Sequence, residues 1–219
     1  MLSTSGVQNW VCRLGKTQTR QYMGRHYLKT ETRVIYQLDF AEGDYGCLSF
    51  VDEDFDLLDV VDVLLSHGPN LRDWHPPSVR LVGCEGAEPQ FHSDFPFYLE
   101  HPLPISRTAK EKLDSIIRPS CVCLPLNVLN KEEDYFLLWI LSAKDALDKD
   151  RSDIEFVECD AGEDSEILYE AVLKNDATHG ADIFRLPGRA SPVFVSQAFV
   201  DLYTSADLRG LEFSSVTLS

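Results

Sequence analysis

Six histidines and six cysteines are the side chains of this 219-residue chain that best suit metal binding or nucleophilic chemistry. A metal site built from them needs ligands at short spacings such as HxH, HExxH or CxxC, and the sequence contains none of these motifs. Cys121 and Cys123 stand two residues apart, which in a strand places both thiols on one face. Buried cysteines behave as small hydrophobic residues, and this explains the pair more simply. We therefore expect neither a metal ion nor another cofactor.

Motifs for nucleotide binding and acyl transfer are also missing from the sequence. The segment Gly83-Cys84-Glu85-Gly86 has no lysine and no GxGxxG spacing, and no GxSxG motif occurs. His75, His92 and Asp94 lie in a proline-rich segment, where they could form an acid-base cluster. Polar residues in such segments more commonly satisfy turns, so we predict that the protein is not an enzyme. A small hydrolase that uses these three residues remains the alternative.

Charge is the property in which this sequence departs most from an average globular protein. The 36 acidic and 20 basic residues give a net charge of −16. Such a field repels the phosphates of nucleic acids and the head groups of anionic membranes, and it accelerates encounters with basic proteins. We therefore expect a basic protein as partner, and neither a nucleic acid nor a membrane.

The acidic residues are concentrated in two segments, and the first of them has the spacing of an amphipathic helix. Between Arg33 and Arg72 there are nine acidic residues and no lysine or arginine. Within residues 52–65, leucines and a valine recur on one helical face, and Gly68-Pro69 follows as a stop signal. Aspartates occupy the opposite face, where like charges four residues apart each cost about 0.2–0.5 kcal/mol.

Uncompensated repulsion of this kind favours a binding role, although a merely solvated face explains it too. A second acidic stretch runs between Asp145 and Asp176. The predicted partner-binding residues are Asp52, Glu53, Asp56, Asp59, Asp62, Asp160, Glu163 and Asp164.

Hydrophobic periodicity and turn residues predict many short strands and a few helices. Strands are predicted at residues 34–40 and 47–51, joined as a hairpin through Gly43 and Gly46. Ser106 and Ser196 each precede a helical pattern and are predicted N-caps. Further strands are predicted at 121–129, 135–141, 154–157, 183–186, 193–195 and 211–216, the first two of them paired antiparallel. The order lacks βαβ alternation, so we predict an α+β fold with a mainly antiparallel sheet and a few packed helices.

Targeting signals are not evident in the sequence. Residues 1–15 contain no apolar core behind basic residues, and the longest apolar run, 135–141, is too short to span a bilayer. We therefore expect a cytoplasmic protein with reduced cysteines rather than three disulfides.

Short motifs in the last two thirds of the chain resemble those of a bacterial immunity-protein family found beside polymorphic and contact-dependent toxins. Its carboxyl-terminal signature FRLP…VFVS…F…L.GLEF is similar to DIFRL at 182–186, VFVS at 193–196, Phe199 and LRGLEF at 208–213. Upstream, YFLL at 135–138 with ALDKDRS at 146–152 resembles its central motif, and Asp73-Trp74 its entry segment. The likeness covers about residues 71–216.

The resemblance implies a non-catalytic antitoxin that binds a cognate toxin and blocks it. It brings no catalytic residues, and the matched positions are expected to form scaffold: Phe184, Phe194, Phe199, Leu211 and Phe213 in a core, Gly210 in a turn, and Asp148 and Ser152 bonded to local backbone. An antidote that enzymatically reverses the toxin's modification, through His75, His92 and Asp94, is the alternative within this reading. We predict an N-terminal subdomain at 1–70 packed against an immunity-protein-like domain at 71–219.

Overall fold

The structure is a computed structural model that describes residues 33–43, 45–51, 61, 64–68, 74–83, 89–97, 102–131, 133–158 and 164–219. These residues belong to one unit, Arg33–Ser219. Its strands are β1 (Ile35–Phe40), β2 (Cys47–Phe50), β3 (Ser78–Val82), β4 (Leu103–Ser106), β5 (Cys121–Pro125), β6 (Asn127–Val128), β7 (Tyr135–Ile140), β8 (Asp153–Glu158), β9 (Asp164–Glu170), β10 (Val172–Leu173), β11 (Ile183–Arg185), β12 (Val193–Ser196), β13 (Leu211–Ser215) and β14 (Thr217–Leu218).

The strands form mostly antiparallel sheets, which confirms the predicted α+β class in its broad form. A four-stranded sheet has the order β11-β12-β1-β13, and three-stranded sheets have the orders β4-β7-β5 and β2-β3-β6. The hairpin β8–β9 and the parallel pair β10–β14 are separate two-stranded sheets. Strands from both sides of the predicted boundary at residue 70 share sheets, since β1 pairs with β12 and β2 with β3.

The predicted hairpin between residues 34–40 and 47–51 is wrong, although both strands exist. β1 lies between β12 and β13, so its two edges are already occupied, and β2 pairs with β3 instead. Gly43 and Gly46 both have positive φ, at 128° and 82°, and they redirect the chain from one sheet to the next. Two strands joined by a short turn are not obliged to pair when more distant strands bury them better.

Two helices lie where the sequence predicts them, each behind a serine. Helix α1 (Arg107–Ile117) starts after Ser106, whose Oγ accepts from the Ala109 amide at 3.0 Å. Helix α2 (Gln197–Ser205) starts after Ser196, whose Oγ accepts from the Phe199 amide at 3.4 Å. Such caps satisfy amides that a helix start leaves unbonded. A short 3-10 helix, Asn175–Thr178, lies between β10 and β11.

One buried cluster joins both helices to two of the sheets. It contains Leu38 and Val195 from the four-stranded sheet, Ile105 from β4, Leu113 from α1 and Phe199 from α2. Strand alternation sends neighbouring side chains to the opposite face of the four-stranded sheet, where a second cluster forms.

Residues expected to form scaffold from the family resemblance are in the core or at a tight contact. Phe184, Phe194, Phe199 and Leu211 are buried, while Phe213 is half-buried against the cluster that contains both helices. Gly210 has φ of 109°, and a Cβ there would lie 2.4 Å from Ser93 Oγ and 2.6 Å from the Phe95 carbonyl oxygen.

The predicted helix over residues 52–65 is described only at its end. Val61 and Leu64 are helical and buried, and Leu65 packs against the same cluster. The helical stretch 64–67 stops at Gly68, which has φ of 72° and donates its amide to the Leu64 carbonyl at 3.1 Å. The apolar face is confirmed at these three positions, and residues 52–60 and 62–63 lie outside the described residues.

The antiparallel pairing of residues 121–129 with 135–141 is confirmed in β5 and β7, where Cys123 faces Leu138. Asn127 and Val128 instead leave this sheet and pair in parallel with β3. Cys121 is buried and Cys123 half-buried, and both contact the cluster that holds the helices. Burial raises the pKa of both thiols, so they are protonated at neutral pH.

Candidate partner-binding surface

The hairpin β8–β9 is strongly acidic, and neither of its strands contains a basic residue. Residues 153–170, which contain both strands and their connection, hold eight acidic residues and no lysine or arginine. The sequence predicted the first strand at residues 154–157 but not β9 (Asp164–Glu170). The signal for β9 was the alternation of Ile167 and Tyr169 with Glu166, Leu168 and Glu170, which is obscured by the acidic residues of the second set.

The inner face of the hairpin is anchored to the core. Ile154 lies opposite Leu168, and both half-buried side chains pack against the cluster that includes Phe184 and Phe194. A lone two-stranded hairpin is marginally stable in water, so this packing is what holds β8 and β9 in place.

Glu166 supplies a second anchor for the hairpin. Its carboxylate lies 2.8 Å from Lys149 Nζ and 2.8 Å from Arg189 Nη2. Arg189 also donates to the Glu166 carbonyl oxygen at 3.1 Å. Hydrogen bonds from Lys149 and then Arg189 lower the pKa of Glu166 below its usual range, so the carboxylate stays charged at neutral pH.

The backbone that carries Arg189 is fixed from inside the protein by Arg185. This buried guanidinium donates to the carbonyl oxygens of Ile140 at 2.9 Å and of Leu186 and Arg189 at 3.2 Å each. It also lies 5.3 Å from the centre of the Trp139 ring. Burial lowers the pKa of Arg185, but an arginine keeps its charge in proteins.

Ser152 fixes the start of the hairpin. Its hydroxyl donates to the Asp148 carbonyl oxygen at 2.7 Å and accepts from the Val172 amide at 2.9 Å. Ser152 therefore bonds backbone groups as expected, although the amide that it binds lies 20 residues away. Asp148 takes part through its main chain rather than its side chain, since its carbonyl accepts from Ser152 and its amide donates to the Val172 carbonyl at 2.8 Å.

The outer face of the hairpin combines apolar and acidic side chains. Glu155 lies opposite Ile167, and the Tyr169 hydroxyl donates to Glu155 Oε2 at 2.7 Å. This bond raises the pKa of Tyr169, because the carboxylate accepts the phenolic proton. Ile167 is 41% exposed and Tyr169 62% exposed, and Phe156, at the margin of the inner face, is 66% exposed.

A cleft of about 420 Å³ lies beside the hairpin. It is lined by Gln37, Leu38, Asp39 and Phe40 of β1, Glu166, Ile167 and Leu168 of β9, and Arg189, Ser191 and Pro192. The ion pair between Glu166 and Arg189 is therefore part of its wall.

Residues 126–217 match the model of an immunity protein family, Imm11. The match confirms the expected resemblance to an immunity-protein family, over fewer than half of the 219 residues. The hairpin lies inside this Imm11 region together with its anchors Lys149, Arg185 and Arg189. No curated protein matches the chain.

The acidic residues predicted to contact a partner are not placed by the structure, apart from one. Asp164, in the Imm11 region, is the first residue of β9 and pairs with Glu158 of β8. The others lie outside the described residues: Asp52, Glu53, Asp56, Asp59, Asp62, Asp160 and Glu163.

The structure brings together two of the three residues of the enzymatic alternative, outside the Imm11 region. His92 Nε2 lies 3.6 Å from Asp94 Oδ1 and 3.9 Å from Glu133 Oε2. Asp94 is only 3% exposed and already accepts from the Ser106 hydroxyl at 2.8 Å and the Arg209 amide at 3.0 Å. Through these bonds Asp94 links its own loop to Ser106 and to the loop that carries Arg209, an arrangement that we call the Asp94 bracket. His75 is exposed in the segment before β3.

Two kinds of feature are absent from the part of the chain that the structure describes. No group of three or more histidine, cysteine, aspartate or glutamate side chains is arranged there to hold a metal ion. None of its helices has the length and apolar character needed to cross a membrane.

Proposed function

We propose that the protein is an immunity protein that neutralises a cognate polymorphic or contact-dependent toxin by binding it in a one-to-one complex. The observation that carries this proposal is the match of residues 126–217 to the Imm11 immunity protein family. A complex of this kind protects by occlusion: the bound antitoxin covers the toxin surface that would otherwise reach its target. It acts in the cytoplasm, where the toxin would arrive.

The charge of the chain supports a basic toxin as partner. A net charge of −16 attracts a lysine- and arginine-rich protein and speeds association at low ionic strength. A nuclease-like toxin fits this chemistry, because its substrate groove must bind phosphates and acidic side chains can take their place. The proposed contacts are the acidic residues predicted from the sequence, from Asp52 to Asp62 and from Asp160 to Asp164.

Neutralisation needs no catalytic group on the antitoxin. The closest approach to an acid-base pair among the enzymatic candidates is His92 with Asp94, and both Asp94 oxygens are engaged by Ser106 and Arg209. This bonding supports a structural role for Asp94 and a non-enzymatic protein.

Co-expression tests the proposal directly. The toxin to use is the protein encoded beside this chain that arrests growth when expressed alone. Co-expression of the full chain is expected to restore growth, and the two proteins are expected to elute together from a sizing column in equal amounts. Continued growth arrest, or restored growth without a complex, would contradict the proposal.

Substitution of the enzymatic candidates gives the matched control. A His75→Ala/His92→Ala variant, which leaves the Asp94 bracket intact, is expected to protect as well as the unchanged chain. Loss of protection by this folded variant would favour the enzymatic alternative.

A further inference from the structure

We propose that the toxin docks on the outer face of the β8–β9 hairpin, and that the matching toxin surface is an apolar spot ringed by lysine or arginine. We call this face the hairpin face, and it consists of Asp153, Glu155, Ile167 and Tyr169. The inference rests on the proposed function, because it names the surface through which the immunity protein would act.

The apolar residues of the hairpin face lie outside the packing that attaches the hairpin to the core. Ile154 and Leu168 attach the hairpin to the core, and Glu166 adds its ion pairs. Ile167 and Tyr169 point away from this attachment and remain largely exposed. Tyrosine on a rigid exposed surface is a common centre of binding energy at protein interfaces.

The negative charge of the hairpin favours a basic protein as the partner that docks there. Of the four hairpin acids whose side chains the structure describes, Glu166 forms ion pairs, whereas Asp153, Glu155 and Glu170 have no basic partner among the described residues. A basic protein surface would neutralise these carboxylates on docking, while a second copy of this chain would bring like charges together.

The hairpin face is also supported by contacts that exist before binding. Lys149 and Arg189 clamp β9 through Glu166, and the hydrogen bond from Tyr169 to Glu155 fixes both outer side chains across the two strands. Side chains that are ordered in advance lose less conformational entropy when a partner binds. The apolar centre, the carboxylate surround and the rigid support together form a docking surface for a basic protein.

Paired variants of this chain test the surface by their Kd for the growth-arresting protein that is encoded beside it. A catalytically inactive form of that protein is used. Ile167→Ala/Tyr169→Ala is expected to raise the Kd at least about 30-fold, as truncation of binding hot spots does. The apolar control is Leu129→Ala/Leu141→Ala, which truncates two exposed leucines away from the hairpin, 49% and 45% exposed. It is expected to leave the Kd within about threefold. Circular dichroism and thermal unfolding confirm that each variant is folded.

A charge-reversal pair provides the second arm of the test. Glu155→Lys is expected to slow association at low salt about tenfold, whereas Glu111→Lys, on the exposed side of α1, is expected to change it less than about twofold. Tyr169→Phe keeps the ring and loses the bond to Glu155, so it is expected to weaken binding less than removal of the ring.

The outcomes separate this inference from the proposed function. If the unchanged chain binds one-to-one and Ile167→Ala/Tyr169→Ala binds equally well, the hairpin face is not the docking surface and the proposed function stands. If the unchanged chain neither binds nor protects, both fail. If the chain self-associates in sedimentation experiments and the hairpin variant does not, a second copy occupies the face and the inference is overturned.

Discussion

Glu166 is the residue that ties the hairpin to Lys149 and Arg189 by ion pairs. Its pKa is lowered by hydrogen bonds first from Lys149 and then from Arg189, so the folded state favours the charged carboxylate. A group of this kind contributes stability above its unfolded pKa and loses that contribution as the pH falls through its lower folded pKa. The attachment of β9 is therefore expected to weaken in acid.

Hydrogen exchange measures this effect at the β9 amides, corrected for the intrinsic pH dependence of exchange. The unchanged chain is expected to lose protection in β9 between pH 6 and pH 3, and Glu166→Gln to show low protection at both values. Glu111→Gln serves as the control and is expected to behave like the unchanged chain. Equal β9 protection in all three proteins at pH 6 would show that the ion pairs do not hold the hairpin.

Among the described glycines with positive φ, Gly210 has the least room for a Cβ. A Cβ at this position would approach Ser93 Oγ at 2.4 Å and the Phe95 carbonyl oxygen at 2.6 Å, and the φ of 109° is strained for any other residue. Gly188 has φ of 70° with nothing near its missing Cβ, so alanine there should cost only about 1–2 kcal/mol of backbone strain. Gly210→Ala is expected to lower the free energy of unfolding by more than this, measured with urea. Equal losses for the two variants would contradict the contact at Gly210.

At the level of elements, Ser106 links helix α1 to the loop that carries Asp94. Its Oγ accepts from the Ala109 amide and donates to Asp94 Oδ1. Ser106→Ala is expected to lower the free energy of unfolding by about 2–4 kcal/mol, because it removes a helix cap and leaves a buried carboxylate short of a partner.

The control for this prediction is Ser205→Ala, at the exposed end of α2, where the hydroxyl contacts only the local Leu202 carbonyl among the described residues. It is expected to change the free energy of unfolding by less than about 0.5 kcal/mol. A loss for Ser106→Ala as small as that of the control would mean that the bracket at Asp94 is not coupled to the helix.

Local signals located most of the elements and paired the neighbouring strands β5 and β7, but they could not assign partners to strands that are distant in the sequence. Ser106 and Ser196 identify two helix starts because capping depends on residues three positions apart. The pairing of β1 with β12 and β13 joins residues more than 150 positions apart, and no local pattern encodes it. The turn glycines suggested a hairpin instead, since they show that the chain bends but not which strands then meet.

The candidate surface was predicted only in outline. Its acidity is visible in the sequence of residues 153–170. The exposure of Ile167 and Tyr169 depends on which face of β9 packs on the core, and the clamp at Glu166 depends on an arginine 23 residues further along the chain. Such properties follow from tertiary packing, which a single sequence does not reveal.

At the scale of the whole molecule, net charge is the property that should govern how fast the complex forms. The association rate with the toxin is expected to fall as ionic strength rises, because screening shortens the range of attraction. Asp56→Lys/Asp59→Lys is expected to slow association and flatten this salt dependence, measured by stopped-flow mixing. An unchanged rate and salt dependence would remove this acidic segment from the interface.

The most direct test of the central claim is a titration of toxin activity with the purified chain. Neutralisation by stoichiometric binding predicts that activity falls linearly and ends at one molecule of chain per molecule of toxin, with no further recovery over time. Complete and progressive inactivation of the toxin by a small fraction of an equivalent would contradict the account, because it would show turnover by an enzyme.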